Sequence, residues 1–406
     1  MEPKHFTLLA AAAAISLVTA GIVHSAYDTW STETVRGEKL FPSFVSDAGQ
    51  IGKVALAKGK DRFTFEKEKD GVWLLSERGN YPAKADKIRE LLLKVATAEL
   101  VESKTRDPKR YDLLDLGDPD KEGASATLLQ FTDDDGKSVG ELVVGKQRSG
   151  AFGSGKSGTY VRRPGEDETW LTNVAISAPL NVTDWVEAVF FKMDLGKFKS
   201  LTLDPPDGDP VVIAVEEKVS KEDKAETKEA GGAKKAAVDK TATTEKSNEA
   251  PPSFKFAAVP DGKQVKPGVD AAVMIKALES LEMTDLRTRK DAKVPSDAVK
   301  IPAVLETTDG LKLRFTVTKV GENDRWVAVD VEEDGNAADV AKKFRKDLDA
   351  WEFKIPDWRS RQVFKSAAEM FEDKPKPPPT TESKSGVNSG AGGSNANPVP
   401  NGSKAN

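Results

Sequence analysis

The stretch Lys53–Leu75, KVALAKGKDRFTFEKEKDGVWLL, decides how this chain is read. Apolar residues alternate in it at Val54 and Leu56, at Phe63 and Phe65, and at Val72 and Leu74. A period of two marks a strand with one buried face. Gly59 and Asp70-Gly71 separate the three runs, so the stretch predicts short antiparallel strands joined by tight turns.

Working outward, residues 81–103, YPAKADKIRELLLKVATAELVES, change period. Ile88, Leu91, Leu92 and Val95 fall at helical spacing and make one apolar stripe, with Asp86 as the N-cap. Residues 127–146 then read as a hairpin, and 158–163 and 169–173 as two further strands. Residues 181–194, NVTDWVEAVFFKMD, read as a short helix returning to the sheet.

The same order recurs downstream. Residues 199–217 and 253–260 supply opening strands. Residues 266–286 supply a helix with Val273, Ala277, Leu278 and Leu281 on one face. Residues 303–320 and 324–331 supply later strands. Residues 337–358 supply a closing helix, in which Trp351 and Phe353 match Trp185 and Phe190. Aligned opening strands and aligned helices have different offsets, and the difference is the length of an insert in the second copy. These patterns predict an α+β fold of two similar units, each of antiparallel strands plus helices, in tandem behind one N-terminal transmembrane helix. The units span 51–197 and 198–360. The insert, about 217–252, is rich in Lys, Glu, Ala and Thr, and the tail at 373–406 is rich in Pro, Ser, Gly and Asn. Both compositions predict solvated segments without a core.

The N-terminal segment, 1–30, supplies the address. Lys4 precedes an uncharged run, Phe6–Val23, and Asp28 and Glu33 follow it. About 18 residues at ~1.5 Å each just cross a bilayer core. We read the run as an uncleaved anchor with the body outside the cytoplasmic membrane; the alternative is a leader cleaved after Ser25. Tyr27 and Trp30 suit the membrane interface.

Composition narrows the chemistry. Among 406 residues there is no Cys, and both histidines, His5 and His24, lie at the N-terminus. The body therefore lacks imidazole and thiol, which removes Ser-His-Asp triads, Cys nucleophiles and His or Cys zinc sites. A net charge of −5 with mixed signs provides no basic field for nucleic acid.

Several motifs resemble sites. Gly150–Ser157, GAFGSGKS, satisfies the Walker A pattern, but a strand-like TYVRR follows where a helix is required. We read it as a hairpin loop. Asp133–Gly136 reads as a turn, since Phe131 occupies an expected calcium-ligand position. Asp115, Asp118 and Asp120 sit with Gly117 and Pro119 in a loop. Five of the tryptophans 73, 170, 185, 326, 351 and 358 lie in apolar patterns, which favours core packing over a ligand groove.

The ordered set of features resembles a known family. It comprises the Gly71-x-Trp73 turn, the YPA…D…I…LL helix, RDPKRYDL around Tyr111, LVVGK, YVRR, WL and a Trp-bearing closing helix. This is similar to an uncharacterised bacterial domain-of-unknown-function family of membrane-anchored proteins, whose genes often neighbour those of gliding-motility-type ABC exporters. The resemblance covers roughly 51–358. The family's usual Tyr-Gly-Leu reads Tyr111-Asp112-Leu113 here. The resemblance implies no catalytic residues.

The expectation is a non-enzymatic accessory or scaffold protein, inner-membrane and single-pass, with its body in the periplasm. Its expected partners are the membrane, through the N-terminal helix, and ABC transporter subunits, with no nucleic acid. No catalytic, cofactor-binding or metal residue is nominated. The first alternative is an extracytoplasmic module that binds an envelope saccharide, peptide or lipid. The second is a hydrolase with paired carboxylates.

Overall fold

Alternation wins over helical spacing along most of this chain. Strand takes 40% of the described residues and helix 22%. The computed structural model describes residues 37–153, 155–216 and 252–375. The N-terminal run, nearly all of the insert and the tail beyond 375 lie outside them.

The first sheet has ten strands: β1 (Glu38–Lys39), β2 (Ile51–Lys58), β3 (Asp61–Lys67), β4 (Trp73–Leu75), β5 (Tyr81–Pro82), β6 (Glu99–Thr105), β7 (Thr127–Asp133), β8 (Ser138–Arg148), β9 (Gly158–Arg162) and β10 (Thr169–Thr172). Then follow β11 (Val189–Lys192), β12 (Phe198–Leu203), β13 (Val211–Val215), β14 (Phe254–Phe256), β15 (Lys263–Val265), β16 (Ser280–Glu282) and β17 (Asp285–Thr288). The last five are β18 (Val299–Thr307), β19 (Lys312–Val320), β20 (Asp324–Glu333), β21 (Trp351–Ile355) and β22 (Phe371–Asp373). Helices are few and short: α1 (Phe44–Asp47), α2 (Ala85–Thr97), α3 (Val182–Trp185), α4 (Ala271–Leu278), α5 (Ala338–Leu348), α6 (Asp357–Val363) and α7 (Ala367–Met370).

The first sheet runs β1-β6-β10-β9-β8-β7-β2-β3-β4-β5 and the second β14-β13-β12-β18-β19-β20-β21-β17. Read from β6 and from β17, the two orders correspond strand for strand as far as β4 and β14. They part at the next place. In the first sheet β5 adds to β4, whereas its counterpart β15 pairs with β22 instead.

The expected α+β class is therefore corrected to a mainly β fold of large antiparallel sheets. The cause is visible in two segments read as helices. Residues 181–194 form only the single turn α3 before β11, because Val189, Phe190 and Phe191 favour extended backbone. Residues 337–358 split into α5, β21 and the start of α6, because Trp351, Phe353 and Ile355 alternate. Trp351 thus sits on β21, the counterpart of Trp170 on β10, and does not match Trp185. Among the described residues no helix is long and apolar enough to cross a membrane, and the transmembrane helix expected at the N-terminus lies outside them.

Two phases are also corrected. Trp73 and Leu75 are the buried residues of β4, while Val72 is exposed. In α4, Val273 faces outward and Met274, Ala277 and Leu278 are buried; Leu281 reaches the core from β16. Asp86 lies in the first turn of α2, one residue inside the helix, and the N-cap position belongs to Lys84.

One continuous core runs through both sheets. Around Val54 and Leu56, four successive residues of β2 are buried, so both faces of the sheet are covered there. On one side lie Ile88, Leu91 and Val95 of α2. Near the neighbouring β3, Glu77 closes over Thr64, accepting hydrogen bonds from its amide (2.6 Å) and hydroxyl (2.7 Å).

Candidate functional site

The two sheets meet along an aromatic and ionic seam. Phe190, on β11, stacks on Phe353, on β21, with centroids 4.2 Å apart. Tyr81, on β5, meets Trp351 edge-on at 5.1 Å. The Trp351 indole donates to the Arg78 carbonyl (3.2 Å), and the Arg78 guanidinium donates to Asp285 on β17 (2.7 Å). Phe191 carries the link further, packing against Phe315 and Phe344. Burial, and then the negative charges of Asp347 and Glu187, push the Tyr81 hydroxyl up to about 12. These contacts tie the two sheets into one body.

Motifs that resembled sites resolve as structure. The loop at 150–157 leads into β9, a strand, so no helix N-terminus is there to hold phosphate. Asp133 accepts from the amides of Asp135 (3.1 Å) and Lys137 (2.7 Å), which makes it a turn builder between β7 and β8. Asp118 does the same for the Asp120 amide (3.0 Å). Among the described residues no group of three or more His, Asp or Glu could hold a metal. The tryptophans do not share a groove. Trp73, Trp185 and Trp326 are buried, Trp170 and Trp351 half-buried, and Trp358 is 59% exposed under the Arg359 guanidinium. Trp30 lies outside the described residues.

Sheet edges are poor docking rails. The end strands β1, β5 and β14 are two or three residues long and β17 four; Pro82 sits on one, Lys255 on another, and Asp285 and Arg287 on β17. Short, charged or Pro-bearing edges discourage pairing with a foreign strand.

The surface that stands out is α2. Its inner face is core, and its two outer flanks differ. On one flank, Glu90 pairs with Lys87 (3.0 Å) and Lys94 (2.8 Å). Hydrogen bonds from Lys94 and Lys87 hold its carboxyl down to about 2. On the other flank, Ala85, Arg89, Leu92, Leu93 and Ala96 line a groove of about 560 Å3. Its far walls are Ala48, Gly49 and Ile51 on one side, and Lys67, Gly71 and Trp73 on the other. Leu93 is 62% exposed, and Val72, in the turn beside the groove, is 40% exposed. Lys67 and Arg89 are the two charged residues in the lining, and neither makes an ion pair among the described residues. The sequence reading missed this surface. Its signal was the set at 85, 89, 92 and 93 on α2, which keeps helical spacing beside the buried Ile88, Leu91, Val95 and Ala96.

A second hollow, about 620 Å3, lies beside α6, with Ile301, Val317 and Phe364 as apolar lining and Lys319, Glu322 and Arg361 among its polar groups. Arg325 is buried in its wall and paired with Asp357 (2.8 Å).

A model of one family, a domain of unknown function called DUF4340, matches residues 73–297, from β4 through β17 into the loop before β18. The chain belongs to this family. The match opens on Trp73 of the α2 groove and includes Arg78, Tyr81, Phe190 and Asp285 of the seam, while Trp351 and Phe353 lie beyond it. No curated protein and no solved structure matches the chain.

Proposed function

We propose that this DUF4340 member is a non-enzymatic accessory or scaffold protein of the cell envelope, associated with an ABC-type transport system. Its body stands on the periplasmic side of the inner membrane, and it acts by contact. The observation that carries this reading is the α2 groove: the exposed Leu93 and Arg89 on a helix fixed to the core, with Lys67 of β3 in the facing wall and neither cation ion-paired among the described residues. Exposed apolar surface rimmed by polar groups marks contact with another body. The seam supports the reading as well, because a contact made at α2 is carried rigidly to the second sheet. The apolar run at 6–23 and the resemblance to proteins encoded beside ABC exporters supply the address and the partner class.

A second reading rests on the hollow beside α6. A concave site with an apolar floor and a polar rim suits an envelope saccharide, peptide or lipid. Purification of the tagged full-length chain in mild detergent separates the two. Recovery of an ABC membrane subunit and its ATPase in stoichiometric amount is the expected outcome. Recovery of this chain alone, where other membrane complexes survive, overturns the accessory reading and favours the ligand module.

A further inference from the structure

The groove beside α2 adjoins the point where the described chain begins. Gly37 leads into β1, whose Glu38 and Lys39 pair with Leu100 and Glu99, just past the end of α2. The Leu40 amide then bonds to the Ala98 carbonyl (2.9 Å), and the chain turns through α1 to place Ala48, Gly49 and Ile51 along one wall of the groove. Ala48, Gly49 and Ile51, close in sequence to the start of the described chain, therefore build part of this surface. Only residues 24–36 separate the apolar run at 6–23 from Gly37. Fully extended they reach about 45 Å, at ~3.5 Å per residue. A body on so short a tether keeps the neighbourhood of residue 37 close to whatever holds the run.

The chemistry of the groove fits a lipid surface. Leu93 is exposed on the helix and Val72 in the facing turn. Lys67 and Arg89 line the groove with no carboxylate among the lining residues, while the opposite flank of α2 is neutralised by Glu90. Apolar side chains beside one Lys and one Arg that make no ion pair among the described residues match an interface of acyl chains beneath anionic headgroups. We infer that the α2 groove rests on the anionic lipid surface of the membrane from which the chain emerges. The inference rests on the envelope placement proposed above and names the partner of that contact. The face seated on lipid is then the α2 side of the first sheet.

The chain contains no Cys, so one introduced thiol reports one place. The test uses the full chain carrying Leu93→Cys, with Leu113→Cys as control; the two leucines are 62% and 63% exposed. Each is labelled with a polarity-sensitive dye and reconstituted into phosphatidylcholine vesicles with and without phosphatidylglycerol, some carrying brominated acyl chains. Flotation of the vesicles comes first. A chain that stays behind overturns the membrane placement, and this inference with it. In a chain that floats, the label at 93 is expected to shift to the blue and to be quenched several-fold more by brominated lipid than the label at 113. The effect should grow with phosphatidylglycerol and fall in R89E. Equal quenching at the two sites, or a label at 93 shielded from water yet untouched by brominated lipid, overturns the inference while leaving the placement intact. The shielded outcome assigns the groove to a protein segment.

Discussion

The ring of Phe190 lies on that of Phe353 with planes 8° from parallel, joining residues that belong to opposite halves of the chain. Phe353 is fully buried and Phe190 nearly so. Phe353→Ala should cost about 3–5 kcal/mol, the range for a buried Phe truncated to Ala. Phe190→Ala should cost somewhat less. A double-mutant cycle should return a coupling of about 1 kcal/mol for the stacked pair. Urea unfolding of the two single variants and the double variant measures all three. Additive losses would show that the rings do not support one another.

Tyr81 sits beside that stack and gives the fold an alkaline limit. Its hydroxyl titrates near 12 in the folded chain, raised mainly by burial, against 10.0 for the free side chain. Between those values the unfolded chain has lost this proton and the folded chain still holds it. Stability from Tyr81 is then complete below pH 10 and falls as pH rises towards 12. Phenolate absorbance during alkaline titration should show a lagging fraction that shrinks in Tyr81→Phe. The same variant should lose less stability than the parent over that window. An unchanged lag in Tyr81→Phe would place the raised group elsewhere, with the buried Tyr111 as the first suspect, since burial raises it too.

Gly79 tests the close approach at the seam. Its φ is +64°, and a Cβ there would collide with the Thr288 methyl and crowd the Trp351 indole nitrogen at 3.3 Å. Gly79→Ala should therefore lower stability by about 1–3 kcal/mol, from backbone strain and the clash together. Thr288→Ser removes the methyl and should restore part of the loss. A thermal melt of the pair separates the two causes, because the strain remains when the clash is gone.

Seven strands of the first sheet, β2 to β4 and β7 to β10, were legible because alternation is a local signal, whereas β1, β5 and β6 were not read, the last two lying in the stretch 81–103 taken as helical. Phe63 and Phe65, and the hairpin at 127–146, are placed by their own neighbours in sequence. Phase was less legible. Val72-Trp73-Leu74-Leu75 is apolar throughout, so the pattern alone could not say which pair faces inward, and the core took the larger Trp73 together with Leu75. Helices were over-read where a run mixed both periods, as in 337–358. The seam was not legible at all. Arg78 and Asp285 stand 207 positions apart, and nothing local to either announces the other. The α2 groove lay between these cases: the apolar stripe with Ile88 and Leu91 was legible, but only the fold shows that the flank at Arg89 and Leu93 stays open.

The hairpin of β13 and β14 is closed by the Glu216 amide on the Ser253 carbonyl, with the ladder continuing at Val215 and Phe254. Residues 217–252 thus leave and re-enter the body at one point. Closing a flexible loop costs only about 0.6 kcal/mol for each doubling of its length. The ladder is therefore nearly indifferent to how much chain it spans. A reporter domain spliced between Glu216 and Ser253, or a protease cut there, should leave both sheets standing, which makes this junction a natural handle for tracking the protein.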